Sequence, residues 1–144
     1  MLNCYDVARY FLAQIDEEAG DLISNMKLQK LVYYAQGLNL ALHDRPLFAE
    51  PLESWTHGPV VPALFHTYQR YKADAIPPPR DMDFSIYEPQ TRELLDDVYA
   101  VFGQFSAWKL YNMTHEEPPY KETPIGKKIS YETLRDYFKT QLVA

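Results

Sequence analysis

The chain has 144 residues, of which 47% are hydrophobic and 24% are charged. A globular chain of this length can bury about 70% of the surface that it exposes when unfolded, so the composition excludes a disordered tail or a collagen-like repeat. No apolar run approaches the roughly 20 residues of a membrane-spanning helix, so we expect no membrane partner. We predict one domain over residues 1–144.

Fourteen basic residues are outnumbered by twenty acidic ones, which gives a net charge of −6. Proteins that bind duplex nucleic acid draw most of their non-specific affinity from lysines and arginines at the phosphates. The acidic balance therefore argues against nucleic-acid binding by this chain alone. The single cysteine, Cys4, cannot form an internal disulfide, and we expect no leader segment because neither a basic stretch nor an apolar run follows Met1. Both features lead us to expect a cytoplasmic protein.

A helix over residues 25–42 has the clearest periodicity in the chain. Lys27, Gln29 and Lys30 fall outside its apolar stripe, so we expect them on a polar face. The stripe consists of apolar residues at intervals of three and four: Leu28, Leu31, Val32, Ala35, Leu38 and Leu42. Five shorter helices are predicted, three of them after the N-cap residues Asn3, Ser106 and Ser130, and two over residues 60–71 and 91–105.

A short β ribbon is predicted between the second and third helices. Residues 52–57 alternate in polarity, and Pro51 would keep this strand at an edge. Gly58 and Pro59 would then open the third helix, because proline is accommodated in a first helical turn. Residues 73–89 and 114–126 are predicted loops. The expected fold class is mainly α: a compact helical bundle of about six helices with a short β ribbon.

The aromatic content is unusually high, at 15% of the chain. The neighbours Tyr33 and Tyr34, like Tyr10 and Phe11, cannot all turn inward from a helix that buries one side. We therefore expect some aromatic side chains at the surface. Aromatic residues are enriched at protein interfaces, so this pattern favours a binding module.

Motifs for chemistry are weak. The five glycines are scattered, which excludes a phosphate-binding loop, and the spacing predicts no cofactor. His57, His66, His115 and Glu116 carry groups that bind zinc, although their spacing matches no local chelate. A small metal-dependent hydrolase is therefore kept as an alternative hypothesis. The competing interpretation is that these histidines have structural or helix-capping roles.

Three segments resemble a known family. They are Met26–Gln36 (MKLQKLVYYAQ), Glu53–Pro62 (ESWTHGPVVP) and Leu110–Glu116 (LYNMTHE), with Pro118–Tyr120 (PPY) soon after. Together they resemble the Panacea domain of the SocA-like antitoxins, a family that includes phage-associated GepA proteins. The resemblance spans nearly the whole chain. Tyr120 stands where a tryptophan is expected.

The resemblance implies a non-enzymatic antitoxin, bacterial or phage-borne, that binds a toxin protein encoded by a neighbouring gene. One branch of the family delivers its toxin to a cytoplasmic protease instead. An exposed aromatic surface would also suit a homodimer.

Nine residues in these segments are candidates for partner binding. The lysines would offer cations to an acidic toxin or form a solvated face, and Gly58 with Pro59 would present free helix N–H groups. Trp55, His57 and Gly58 could instead hold the ribbon on its helix, and His115 could cap the fifth helix. The candidates are Lys27, Lys30, Tyr34, Trp55, His57, Gly58, Pro59, Thr114 and His115.

Overall fold

The computed structural model describes residues 1–142. Along this part of the chain lie α1 (Cys4–Ala13), α2 (Asn25–His43), β1 (Glu53–Trp55), β2 (Gly58–Val60), α3 (Pro62–Tyr68), α4 (Pro89–Phe102), α5 (Ala107–His115), α6 (Pro118–Lys121) and α7 (Tyr131–Gln141). The predicted class, a mainly helical fold with a short ribbon between the second and third helices, is confirmed. Over residues 1–142, no helix combines the length and the apolar character needed to cross a bilayer.

The three predicted N-caps are confirmed. The side chains of Asn3, Ser106 and Ser130 each accept a hydrogen bond from the backbone amide three residues further on, at 2.8, 3.1 and 3.0 Å. These bonds satisfy amides that have no partner inside the helix. They explain why α1, α5 and α7 begin where the sequence predicts.

The helix α2 lies at the centre of the molecule. It packs against α1, α3, α4, α5, α7 and β2, so it is enclosed on all sides. Gln29 and Lys30 are fully buried and Lys27 is only 9% exposed, so the expected polar face of this helix is wrong for all three. Tyr33 and Tyr34 are also buried, at 0% and 1% exposure, because different neighbours cover the two sides of the helix.

The aromatic pair of α1 follows the same pattern. Tyr10 and Phe11 are 3% and 0% exposed, so the expectation that one of them reaches the surface is wrong as well. Tyr10 packs edge-on against Tyr87, and its hydroxyl donates to Asp96 Oδ1 at 2.7 Å. A tyrosine can be buried on this side of α1 because the loop before α4 covers it.

Gly58 and Pro59 do not open a helix. They form β2, which pairs antiparallel with β1 so that Pro59 lies opposite Ser54. The helix-opening proline is Pro62, at the first turn of α3. The predicted start of this helix, residue 60, is two residues too early, because Gly58-Pro59 and Pro62 both fit a helix start.

The strand β1 is also not at an edge. On the side away from β2, Ser54 N donates to Lys127 O at 3.0 Å, and Gly126 N donates to Ser54 O at 2.7 Å. The chain before α7 therefore covers the edge that Pro51 was expected to leave open. Within the predicted loop 114–126, residues 118–121 form the short helix α6, again with proline in the first turn.

Candidate partner-binding face

A buried lysine connects the ribbon to α2. Lys30 Nζ donates to the carbonyl oxygen of Pro59 at 3.2 Å. In an antiparallel pair, alternate residues direct their backbone groups away from the partner strand. Pro59 occupies such a position opposite Ser54, so its missing N–H costs the ladder nothing and its carbonyl is available to Lys30.

Gly58 gives this lysine its space. Its φ of 109° lies in the region that favours glycine, and a Cβ there would come within 2.9 Å of Lys30 Cε. Burial lowers the pKa of Lys30 to about 7, since the charged form loses its hydration. No carboxylate forms an ion pair with it in the part of the chain that the structure describes.

His115 connects the end of α5 to the turn of the ribbon. Its Nδ1 lies 2.7 Å from Tyr111 O, and its Nε2 lies 3.0 Å from Thr56 O. Carbonyl oxygens only accept, so both bonds form together when both ring nitrogens carry protons. The contact with Tyr111 lies in the last turn of α5, where the sequence analysis placed a capping histidine.

Aromatic side chains extend from His115 along α5. Trp108 stacks on Tyr111 with centroids 5.1 Å apart, and Tyr111 stacks on His115 at 3.9 Å. The ring centroid of Tyr120 lies 4.4 Å from that of the imidazole, with the two rings tilted by 52°. We call these four residues the aromatic face. Trp108 is 68% exposed, and the other three are partly buried.

The sequence analysis did not single out Trp108, Tyr111 or Tyr120 as site residues. The signal was present, because positions 108, 111 and 115 follow intervals of three and four and so share one side of a helix. This signal was overlooked because the exposed aromatic residues were sought at neighbouring pairs such as Tyr33 and Tyr34, which are buried.

Glu117, just after the end of α5, connects this part of the chain to α2. Its two carboxylate oxygens each accept a hydrogen bond at 2.8 Å, one from Tyr33 and one from Tyr34. Burial raises the pKa of Glu117, and the tyrosine hydroxyls oppose that rise by bonding to the charged form. Tyr34 also stacks on Phe102 at 3.8 Å. It is therefore part of the core.

The nine candidate residues divide by accessibility. Lys27 is 9% exposed and donates from Nζ to Gly103 O at 2.7 Å, and burial lowers its pKa. Trp55 and His115 are partly buried, and His57 is exposed. Like Lys27, the remaining candidates are buried: Lys30, Tyr34, Gly58, Pro59 and Thr114. The structure therefore brings the ribbon residues, Lys30 and His115 together, whereas Lys27 and Tyr34 contact Gly103 and Phe102 at the end of α4.

The histidines do not converge on a metal site. In residues 1–142 no three histidine, cysteine or acidic side chains lie close enough to share an ion. His66 contacts Gln69 at 3.3 Å, and both nitrogens of His115 are occupied by carbonyl oxygens. The alternative hypothesis of a metal-dependent hydrolase has no support in this geometry.

Comparisons with known proteins agree with the segments identified in the sequence. The family described as "Antitoxin SocA-like, Panacea domain" matches residues 28–121. The chain is 30% identical to Antitoxin SocA of Caulobacter vibrioides (strain NA1000 / CB15N) over 148 aligned positions, which cover 85% of this chain and 75% of that protein. No solved structure matches the chain significantly.

Proposed function

The chain belongs to the SocA-like antitoxin family with the Panacea domain, and on this premise we propose that it neutralises a toxin encoded by a neighbouring gene through direct binding at the aromatic face. The accessible candidates Trp55, His57 and His115 would extend this surface. The observation that carries the proposal is the exposure of Trp108, at 68%, at the end of a stack that continues into the ribbon.

An exposed tryptophan stacked on a tyrosine is well suited to binding a protein. Tryptophan and tyrosine dominate interface hot spots because they bury a large area with few rotatable bonds. Tyr111 and His115 stack on each other, and both nitrogens of His115 lie within hydrogen-bond distance of a carbonyl oxygen. A partner would therefore meet a preorganised surface, which reduces the entropy lost on binding.

Co-expression tests the proposal. Each adjacent open reading frame is expressed alone and with this chain, and growth and co-purification are scored. We expect one neighbour to stop growth alone, to be harmless with this chain and to co-elute with it. The variant Trp108→Ala should weaken binding at least tenfold and reduce the rescue. Leu22→Ala, at a residue that is 63% exposed, is the matched control and should bind normally.

Two other outcomes would change the conclusion. Rescue with disappearance of the toxin from the cell, without co-elution, would favour delivery to a cytoplasmic protease over direct neutralisation. Normal binding by Trp108→Ala would place the toxin on another surface. The mass of the purified chain in light scattering should be recorded in parallel, because a homodimer formed through the aromatic face would compete with the toxin.

A further inference from the structure

A cavity of about 380 Å³ lies beside the ribbon, and the antitoxin role does not account for it. It is open to solvent on one side and is lined by the first half of α2, by β2, by α3 and by the start of α5. Its surface is mainly apolar and includes Met26, Val60, Phe65 and Ala107, with Lys30 and His57. A space of this size and character can hold a small molecule or one side chain of a partner.

The titratable residues that line the cavity are basic, whereas the protein as a whole is acidic. They are Lys30, His57 and Lys72, and no carboxylate lines the cavity within residues 1–142. The chain as a whole carries a net charge of −6. An apolar wall with bases and no acids favours an anionic ligand with a hydrocarbon body.

The buried polar groups of the lining differ in how well they are satisfied. Asn25 Nδ2 donates to Phe65 O at 3.1 Å, and Gln29 donates to Asn25 Oδ1 at 3.0 Å while accepting from Val61 N at 2.9 Å. The ammonium of Lys30 has three donors, and in the described chain it has one acceptor, Pro59 O. The amide nitrogens of Asn25 and Gln29 each have one further donor, whereas the Lys30 ammonium has two, so Lys30 is the buried group of this cavity with the most donors to spare.

We propose that this cavity binds an apolar carboxylate, with the carboxylate on Lys30 and the hydrocarbon body against Val60 and Phe65. A buried ammonium interacts more favourably with an anionic ligand than with a neutral one, because the ion pair compensates for the hydration that the cation loses on burial. A phosphate dianion would lose more hydration in so apolar a space. Free aliphatic acids and the C-terminal residue of a polypeptide both present this chemistry.

The test is an NMR titration of the full ¹⁵N-labelled chain with octanoate and with N-acetyl-leucine, each paired with its neutral amide. We expect saturable shifts at cavity residues such as Val60 and Ala107, and binding of the amides at least tenfold weaker. Binding of N-acetyl-leucine alone would identify a polypeptide C-terminus, and binding of octanoate alone would identify a small acid. Equal binding of acid and amide, or shifts confined to other surfaces, would overturn the proposal.

Two variants make the result specific. Lys30→Met keeps the length of the side chain and removes its charge, and it should weaken acid binding at least tenfold. Ala107→Leu leaves Lys30 intact and fills part of the cavity, so it should weaken binding even if Lys30→Met misfolds. Lys139→Met, at an exposed position of α7, is the charge-matched control. Unchanged acid binding by a folded Lys30→Met would refute the proposal whether or not a toxin is found.

Discussion

Lys30 Nζ donates a hydrogen bond to the carbonyl oxygen of Pro59 at 3.2 Å, and both residues are buried. The bond depends on two features of the ribbon. Proline is tolerated at position 59 because it lies at a non-hydrogen-bonded pair, and glycine at position 58 leaves room for the lysine side chain. Gly58 and Pro59 thus allow the ribbon to pack directly against a lysine in the core.

This lysine should make the stability of the protein depend on pH. Burial lowers its pKa from 10.5 to about 7 in the folded state. Between these values the unfolded chain binds more protons, so the free energy of unfolding should rise with pH, by up to about 1.4 kcal/mol per unit. Urea unfolding at pH 7, 8 and 9 should show this rise in the native chain and a smaller one in Lys30→Met. Lys139→Met should retain the native slope, and an equal slope in Lys30→Met would contradict the assignment.

The N-terminal ends of α1, α5 and α7 could be predicted because local signals determine them. Asn3, Ser106 and Ser130 each bond to an amide three residues away, and such a bond needs no knowledge of the tertiary structure. The burial of Lys30 and Tyr34 could not be predicted in this way. It depends on α2 being enclosed by five helices and a strand, which hydrophobic periodicity along one helix does not reveal.

Glu117 should be important for stability although it is charged. Glu117→Gln replaces one acceptor oxygen with an amide that donates, which leaves the hydroxyl of Tyr33 or Tyr34 without its partner. Loss of a buried hydrogen bond of this kind costs about 1–3 kcal/mol. Urea unfolding measures the loss. Glu116→Gln is the matched control, because its side chain is 81% exposed, and it should change stability by less than about 0.5 kcal/mol. Equal effects would argue against the tyrosine contacts.

The sequence supplied candidate residues in two separate motifs, Glu53–Pro62 and Leu110–Glu116, but did not predict that the ribbon residues and His115 would lie together as they do in the structure. The aromatic face was missed, because the choice between core and surface for each tyrosine depends on which elements cover it. Tyr34 and Tyr111 both lie in helices. Tyr34 is covered by Phe102, whereas Tyr111 is covered by Trp108, which is itself exposed.

Gly37 should be intolerant of even the smallest side chain. A Cβ at this position would overlap the ring of Phe138, which packs between Tyr33 and Tyr34. Gly37→Ala would gain helix propensity, yet overpacking of a close contact typically costs about 1–3 kcal/mol and should prevail. Thermal or urea unfolding should show a net loss. Combining it with Phe138→Leu should recover part of that loss relative to the sum of the single variants, and strict additivity would contradict the contact.

His115 should act on the ribbon turn, whereas His57 should not. His115→Phe keeps an aromatic ring in contact with Tyr111 and Tyr120 and removes the polar contacts with Tyr111 O and Thr56 O. We expect a loss of about 1–3 kcal/mol in stability and faster hydrogen exchange at the amides of the ribbon. His57→Ala, at an exposed residue of the same turn, should stay within about 0.5 kcal/mol of the native chain. If both variants instead leave ribbon exchange unchanged, the turn is held by β1 and β2 pairing alone, and any effect of His115 on toxin binding would have to come from direct contact.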